Sequence, residues 1–221
     1  DKCAMKVGTD AVLLGAWCNV TERRKALDIG TGTGILSLMI AQRNELLKVK
    51  AIDIDGSSIL QARDNIDKSE FWDRIYLDEM DFTTMESQDR FDLVICNPPF
   101  YEEQTLCPDN NRNNARHTSS LSFDVLIKNV DKHLTNDGIF SVIIPTSVSE
   151  KFIELCSGNN LQLYRRTDVF TAPRKIAKRT LLEFGRDAKT AYSSSSLCIR
   201  NANAEYSDEY INLTKDFYLN M

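Results

Sequence analysis

Between Lys25 and Pro145 the chain alternates short β-branched or apolar runs with amphipathic stretches, which restricts it to a mostly parallel, twisted sheet with helices on both faces. Strands are predicted at 25–29, 48–54, 74–78, 91–96 and 139–145, and helices at 35–44, 57–68 and 123–134. Ile35, Leu36, Met39 and Ile40 recur at helical spacing, as one buried face requires. A further helix is expected near 149–156. Two β-rich runs, 161–170 and 179–184, flank a segment containing Pro173 and read as an antiparallel hairpin at one sheet edge. The small polar run 190–196 is predicted to be a mobile loop. The run 205–221 carries Tyr206, Tyr210, Ile211, Leu213, Phe217 and Leu219 and is expected to dock as a helix or ordered tail.

At 221 residues a single domain is expected, with a cap at 1–24, a core at 25–186 and an extension at 187–221. A hydrophobic share of 42% and a charged share of 27% exclude a disordered or fibrous chain. The longest apolar runs, such as Ile139–Ile144, fall short of the roughly 20 residues needed to span a bilayer, so no membrane partner is expected. The six cysteines form no C-x-x-C pair and accompany only two histidines, which argues against a disulfide framework or a metal site. Reduced thiols and the lack of signal-peptide composition predict a cytoplasmic protein, with a few residues ahead of Asp1.

Asp28-Ile29-Gly30-Thr31-Gly32-Thr33-Gly34 follows the first strand and opens the first core helix. Glycines there let a ligand approach the backbone, and the helix start offers unpaired N–H groups. A dinucleotide site requires G-x-G-x-x-G/A, and Ile35 occupies the final position of that pattern. The spacing instead resembles motif I of the class I S-adenosylmethionine-dependent methyltransferases. That cofactor carries a sulfonium and an amino group rather than a pyrophosphate, so the Asp28 carboxylate beside the loop is favourable. The second strand ends in Asp53-Ile54-Asp55, where an acidic side chain can accept the ribose hydroxyls. Asp53 is preferred and Asp55 is the reserve. By family analogy Asp81 and Phe82 meet the adenine, although an aspartate such as Asp81 taken alone is more often a cap or turn residue than a ligand.

The fourth strand runs into Asn97-Pro98-Pro99-Phe100. Two prolines by themselves merely end a strand. With Asn in front and an aromatic behind, the run matches the N-P-P-aromatic motif of methyltransferases acting on planar amino nitrogens. The resemblance makes Asn97 and Pro98 acceptors for the amino hydrogens, puts Asn97 also against the cofactor, and makes Phe100 a stacking platform.

The opening run Lys6-Val7-Gly8-Thr9-Asp10 predicts a turn, an N-cap at Thr9 or Asp10, and an apolar helix. With Arg112-Asn113-Asn114-Ala115-Arg116-His117 and the terminal 213–219 segment, it resembles the bacterial tRNA1(Val) (adenine-37-N6)-methyltransferase family over nearly the whole chain. The resemblance implies a Rossmann-like class I fold, Lys6 and Thr9 at the cofactor, Arg112, Arg116 and His117 at the RNA, and tRNA as substrate. Residues 165–179 hold six basic side chains and one acidic, a net +5 within a chain of −5. Such segregated charge suits a local RNA contact, with Arg174, Lys175, Lys178 and Arg179 as candidates. A monomer is expected. The alternatives are methylation of a release-factor glutamine or of guanine N2 in ribosomal RNA, and an RNA-binding module without turnover.

Overall fold

The computed structural model describes residues 8–85, 88–98, 121–187 and 190–218. Among them eight strands form one sheet: β1 (Lys25–Ile29), β2 (Lys48–Asp53), β3 (Ile75–Glu79), β4 (Phe91–Cys96), β5 (Leu134–Pro145), β6 (Gln162–Phe170), β7 (Arg179–Gly185) and β8 (Ser193–Cys198). Their order is β3-β2-β1-β4-β5-β7-β6-β8. β7 runs antiparallel to both of its neighbours, and every other pairing is parallel.

The helices are α1 (Thr9–Trp17), α2 (Ile35–Arg43), α3 (Gly56–Ile66), α4 (Phe123–His133), α5 (Ser149–Ser157) and α6 (Asp208–Thr214). Alternation along the strands divides the apolar side chains into two cores. Ala26, Leu93, Ile95, Ile139 and Ile143 face α1, α2 and α3, whereas Leu27, Val94, Phe140 and Val142 face α4 and α5. α1 is apolar all round because it is covered all round: Ala11 to Trp17 are all buried. Leu13 and Leu14 pack on the sheet side, while Val12 and Ala16 meet Met39 of α2 together with Leu213 and Phe217 of the tail.

The prediction of a mobile loop at 190–196 is overturned, because Ser193–Cys198 is strand β8, parallel to β6, with Arg165 opposite Ser193 and Phe170 opposite Cys198. The hairpin of β6 and β7 is therefore not the edge. A serine run lacks the apolar signal of a strand, and here backbone pairing and the 2.8 Å contact between the Thr167 and Ser195 hydroxyls hold it instead. The cap of α1 is Gly8, not Thr9 or Asp10: the first-turn amides bond the Gly8 carbonyl, and the Asp10 carboxylate is drawn to Arg179 at 2.7 Å. β5 starts five residues earlier than predicted, at Leu134, with a register shift against β4 between Phe91 and Leu93. No helix among the described residues is long and apolar enough to cross a membrane.

Candidate active site

The sheet register brings the central residues together. Ile52, Ile29 and Cys96 lie in one row across β2, β1 and β4, so Asp53, Gly30 and Asn97 follow side by side at the carboxyl edge. The chain winds outward to β3 from β1 and then returns to β4 on the opposite side, the switch point where open α/β sheets bind ligands.

The glycine loop is held from below. The amides of Gly30 and Thr31 both donate to the Ile52 carbonyl at 2.9 Å, and the Gly32 amide donates to Asp53 Oδ2 at 2.8 Å. Gly30 and Gly32 have φ of +69° and +56°, and a Cβ on either would meet nothing within 4 Å. Their outer side is thus open space that a ligand can enter, in a conformation L side chains rarely adopt. Gly34 serves packing, since a Cβ there would press on Ala62 and Ile66 of α3 at 3.3 Å.

Asp28 is fully buried under this loop. Thr31 and Ser37 each donate a hydroxyl to its Oδ2 at 2.7 Å, while its Oδ1 has no donor. Burial pushes its pKa up to about 6 against the opposing hydrogen bonds of Ser37 and Thr31, and the Asp53 charge adds to the rise. A buried, anionic oxygen lacking a donor is costly unless something cationic or donating satisfies it. Burial likewise pushes the neighbouring Cys96 thiol well up, with Asp28 and Asp53 adding to it, so it stays neutral. Ser37 carries no motif signature; its one signal in the sequence is a hydroxyl within an otherwise apolar first turn and a half.

Asp53 accepts from the Gly32 and Asp55 amides, one on each oxygen, and a carboxylate has lone pairs left for two further donors. The reserve, Asp55, is the N-cap of α3, accepting from the amides and hydroxyls of Ser57 and Ser58, which lowers its pKa. Asp81 caps a short 3-10 turn by accepting from the Thr83 amide at 2.8 Å. The Phe82 ring is 4% exposed and packs in the α4 core, 6.0 Å from the His133 ring, which itself lies between the Met85 and Asp89 carbonyls. Thr9 stands at the exposed start of α1, and Pro98 is buried just beyond β4. Lys6, Phe100, Arg112, Arg116 and His117 lie outside the described residues. No cluster of three or more His, Cys, Asp or Glu side chains that could hold a metal occurs among the described residues.

The basic stripe is narrower than its sequence count. Arg165 pairs with Glu183 and covers the Trp17 ring at 3.7 Å, Arg166 pairs with Glu150 and Asp168, and Arg179 pairs with Asp10. Arg174, Lys175 and Lys178 are exposed on the turn between β6 and β7. Arg174 adopts φ +63°, following Pro173 in a turn closed by the Lys175 amide on the Ala172 carbonyl.

A family model described as "Methyltransferase small domain" matches residues 4–153. The tRNA1(Val) (adenine(37)-N6)-methyltransferase of Phocaeicola vulgatus is 44% identical over 221 residues, covering 100% of this chain and 94% of that protein. The chain belongs to this methyltransferase family. The enzyme of the same description from Flavobacterium psychrophilum is 41% identical, with 100% and 95% covered. Among solved structures, a predicted O-methyltransferase from Agrobacterium tumefaciens superposes with a TM-score of 0.74 at 19% identity, covering 94% of this chain and 96% of that one. The ribosomal protein L11 methylase of Lactobacillus delbrueckii subsp. bulgaricus gives 0.57 at 20% identity, over 80% and 77%. These two show the class I methyltransferase fold. The methyltransferase uses S-adenosylmethionine, and the open glycine cradle, the donor-less Asp28 oxygen and the Asp53 carboxylate fit that cofactor.

Proposed function

We propose that this methyltransferase transfers a methyl group to the N6 amino group of adenine in a tRNA anticodon loop, position 37 of a valine tRNA by its relatives' description. The observation that carries the reading is the row Asp53, Gly30, Asn97, which sets a cofactor cradle directly beside the N-P-P run. Asp53 would accept the ribose hydroxyls, Asp28, Lys6 and Thr9 would serve the methionine end, and Asp81 with Phe82 would border the adenine. When bound, S-adenosylmethionine supplies an electrophilic methyl on a sulfonium.

Adenine N6 is a poor nucleophile because its lone pair is delocalised into the ring. Asn97 Oδ1 and the Pro98 carbonyl accept its two hydrogens, turn the lone pair toward the methyl carbon, and stabilise the positive charge that grows on nitrogen. One N–H proton then leaves to water, so no strong base is needed. Phe100 stacks on the extruded ring. The turn cations Arg174, Lys175 and Lys178 hold RNA phosphates, and Arg112, Arg116 and His117 add contacts from the segment after the N-P-P run. The enzyme acts in the cytoplasm as a monomer.

The test is to incubate the purified protein with unmodified tRNA and methyl-labelled cofactor, then identify the modified nucleoside and its position. N6-methyladenosine at position 37 is expected. Label in guanine N2, or in a release-factor glutamine and not in tRNA, would replace the reading.

A further inference from the structure

A cavity of about 330 Å³ opens at the carboxyl edge of the sheet beside the β6–β7 turn. Leu13 of α1 and Ile199 just past β8 give it an apolar floor, and Thr171, Lys178 and the Asp10–Arg179 ion pair form its walls. The cavity's lining on β7 and β6 lies two and three strands from β4 in the sheet, so roughly 10–15 Å of lateral distance separates it from the Asn97 strand end. Its volume is at the small end of ligand clefts, which run from roughly 300 to 1,000 Å³, and suits a single nucleotide rather than a helical stem.

We propose that this cavity holds one nucleotide of the substrate RNA next to the methylated one, an inference that rests on the RNA reading above. Three features point to that occupant. The aliphatic floor can cover the flat face of a base that has left its stack. Arg179 donates Nε to Asp10 and Nη1 to the Lys178 carbonyl, which fixes its guanidinium plane at the cavity wall as a surface a base can lie against. Lys178 at the rim continues into Lys175 and Arg174, three exposed cations placed for phosphates on either side of the nucleotide. Extruding the target base unstacks its neighbours, so a second pocket one short step away captures a base that has already lost its stack.

The test uses the full chain, a labelled anticodon stem-loop RNA, and the same RNA with an abasic residue beside the target adenosine. Thr171 is exposed, so Thr171→Trp narrows the cavity without disturbing a core. Each change alone is expected to weaken RNA binding about tenfold, and both together no more than either one, because both remove the same contact. Affinity for S-adenosylmethionine and melting temperature of the variant verify its folding. If the abasic RNA binds as tightly as the intact one, or if the two losses multiply, the proposal is overturned. Displacement of the abasic and intact RNAs alike by millimolar adenosine or guanosine monophosphate would assign the cavity to a free nucleotide and also overturn it. Methyl transfer to the intact stem-loop by the unmodified enzyme is read separately, so failure of the methylation reading is distinguished from failure of the pocket.

Discussion

The Gly32 amide donates to Asp53 Oδ2 over 2.8 Å, which makes the glycine loop and the end of β2 one preorganised unit. The carboxylate proposed to accept the ribose hydroxyls is therefore aimed by the same loop that opens the cradle. Asp53→Ala removes both the acceptor and this tie. Calorimetric titration should show S-adenosylmethionine binding weakened by about 30-fold or more, since hydrogen bonds to a charged group contribute about 1.5–3 kcal/mol. Binding within threefold of the parent enzyme would remove Asp53 from the ribose site.

Asn97→Ala tests the amine grip. Deleting one preorganised partner of developing charge costs about 100- to 1,000-fold in turnover in other enzymes, and a loss of at least this size is expected in single-turnover methylation. Cofactor affinity should change less than about threefold, because the cradle formed by Asp28, Gly30, Gly32 and Asp53 is intact. Unchanged turnover refutes the assignment.

The three turn cations and the paired Arg165 separate binding from folding. Replacing Arg174, Lys175 and Lys178 with Ala should weaken RNA and lower the slope of log affinity against log salt by about 2. Arg165→Ala should leave that slope alone and cost about 2–3 kcal/mol of stability, because it removes the cation beside Glu183, 6% exposed, and leaves that charge to the Asn19 amide and the Ser141 hydroxyl. A salt slope that follows Arg165 instead would move the RNA site to the sheet face under α1.

Arg174 occupies a left-handed backbone position that glycine would take without strain. Arg174→Gly should leave stability equal or raise it by up to about 1 kcal/mol in urea unfolding while RNA affinity falls. If affinity holds, the strain has no bearing on RNA.

Asp28 gives a pH signature. Its folded pKa is about 6, above the ordinary aspartate value near 3.9. Between about pH 4 and 6 the native chain keeps a proton that the unfolded chain has lost, so this residue's contribution to stability falls as pH rises through that window. Above it the carboxylate is charged and, in the proposed site, would attract the cofactor's ammonium and sulfonium. Affinity for S-adenosylmethionine should drop toward tenfold per unit below about pH 6 and level off near pH 7. Asp28→Asn should abolish that dependence and raise stability near pH 8. A flat profile in the parent enzyme would show that Asp28 does not titrate against the cofactor.

Much of the site was legible in the sequence because a glycine motif and N-P-P-F report backbone needs that few other residues meet, and period-2 and period-3.6 patterns placed both at strand ends. What escaped was set by partners distant along the chain. The six-cation stripe shrank because Glu150, Glu183 and Asp10 lie outside the counted segment. Asp55 could not be told from Asp53 as a ribose acceptor until its capping amides were seen. Strand β8 was hidden because a run of serines carries no apolar signal and is held by backbone pairing and a hydroxyl contact.

Phe217 and Leu213 close over Val12 and Ala16, so the segment after β8 covers a helix that precedes the first strand. That closure ties the two flanks of the core to each other as well as to the sheet. Loosening it would bare a greasy stripe of α1 while leaving the eight strands paired.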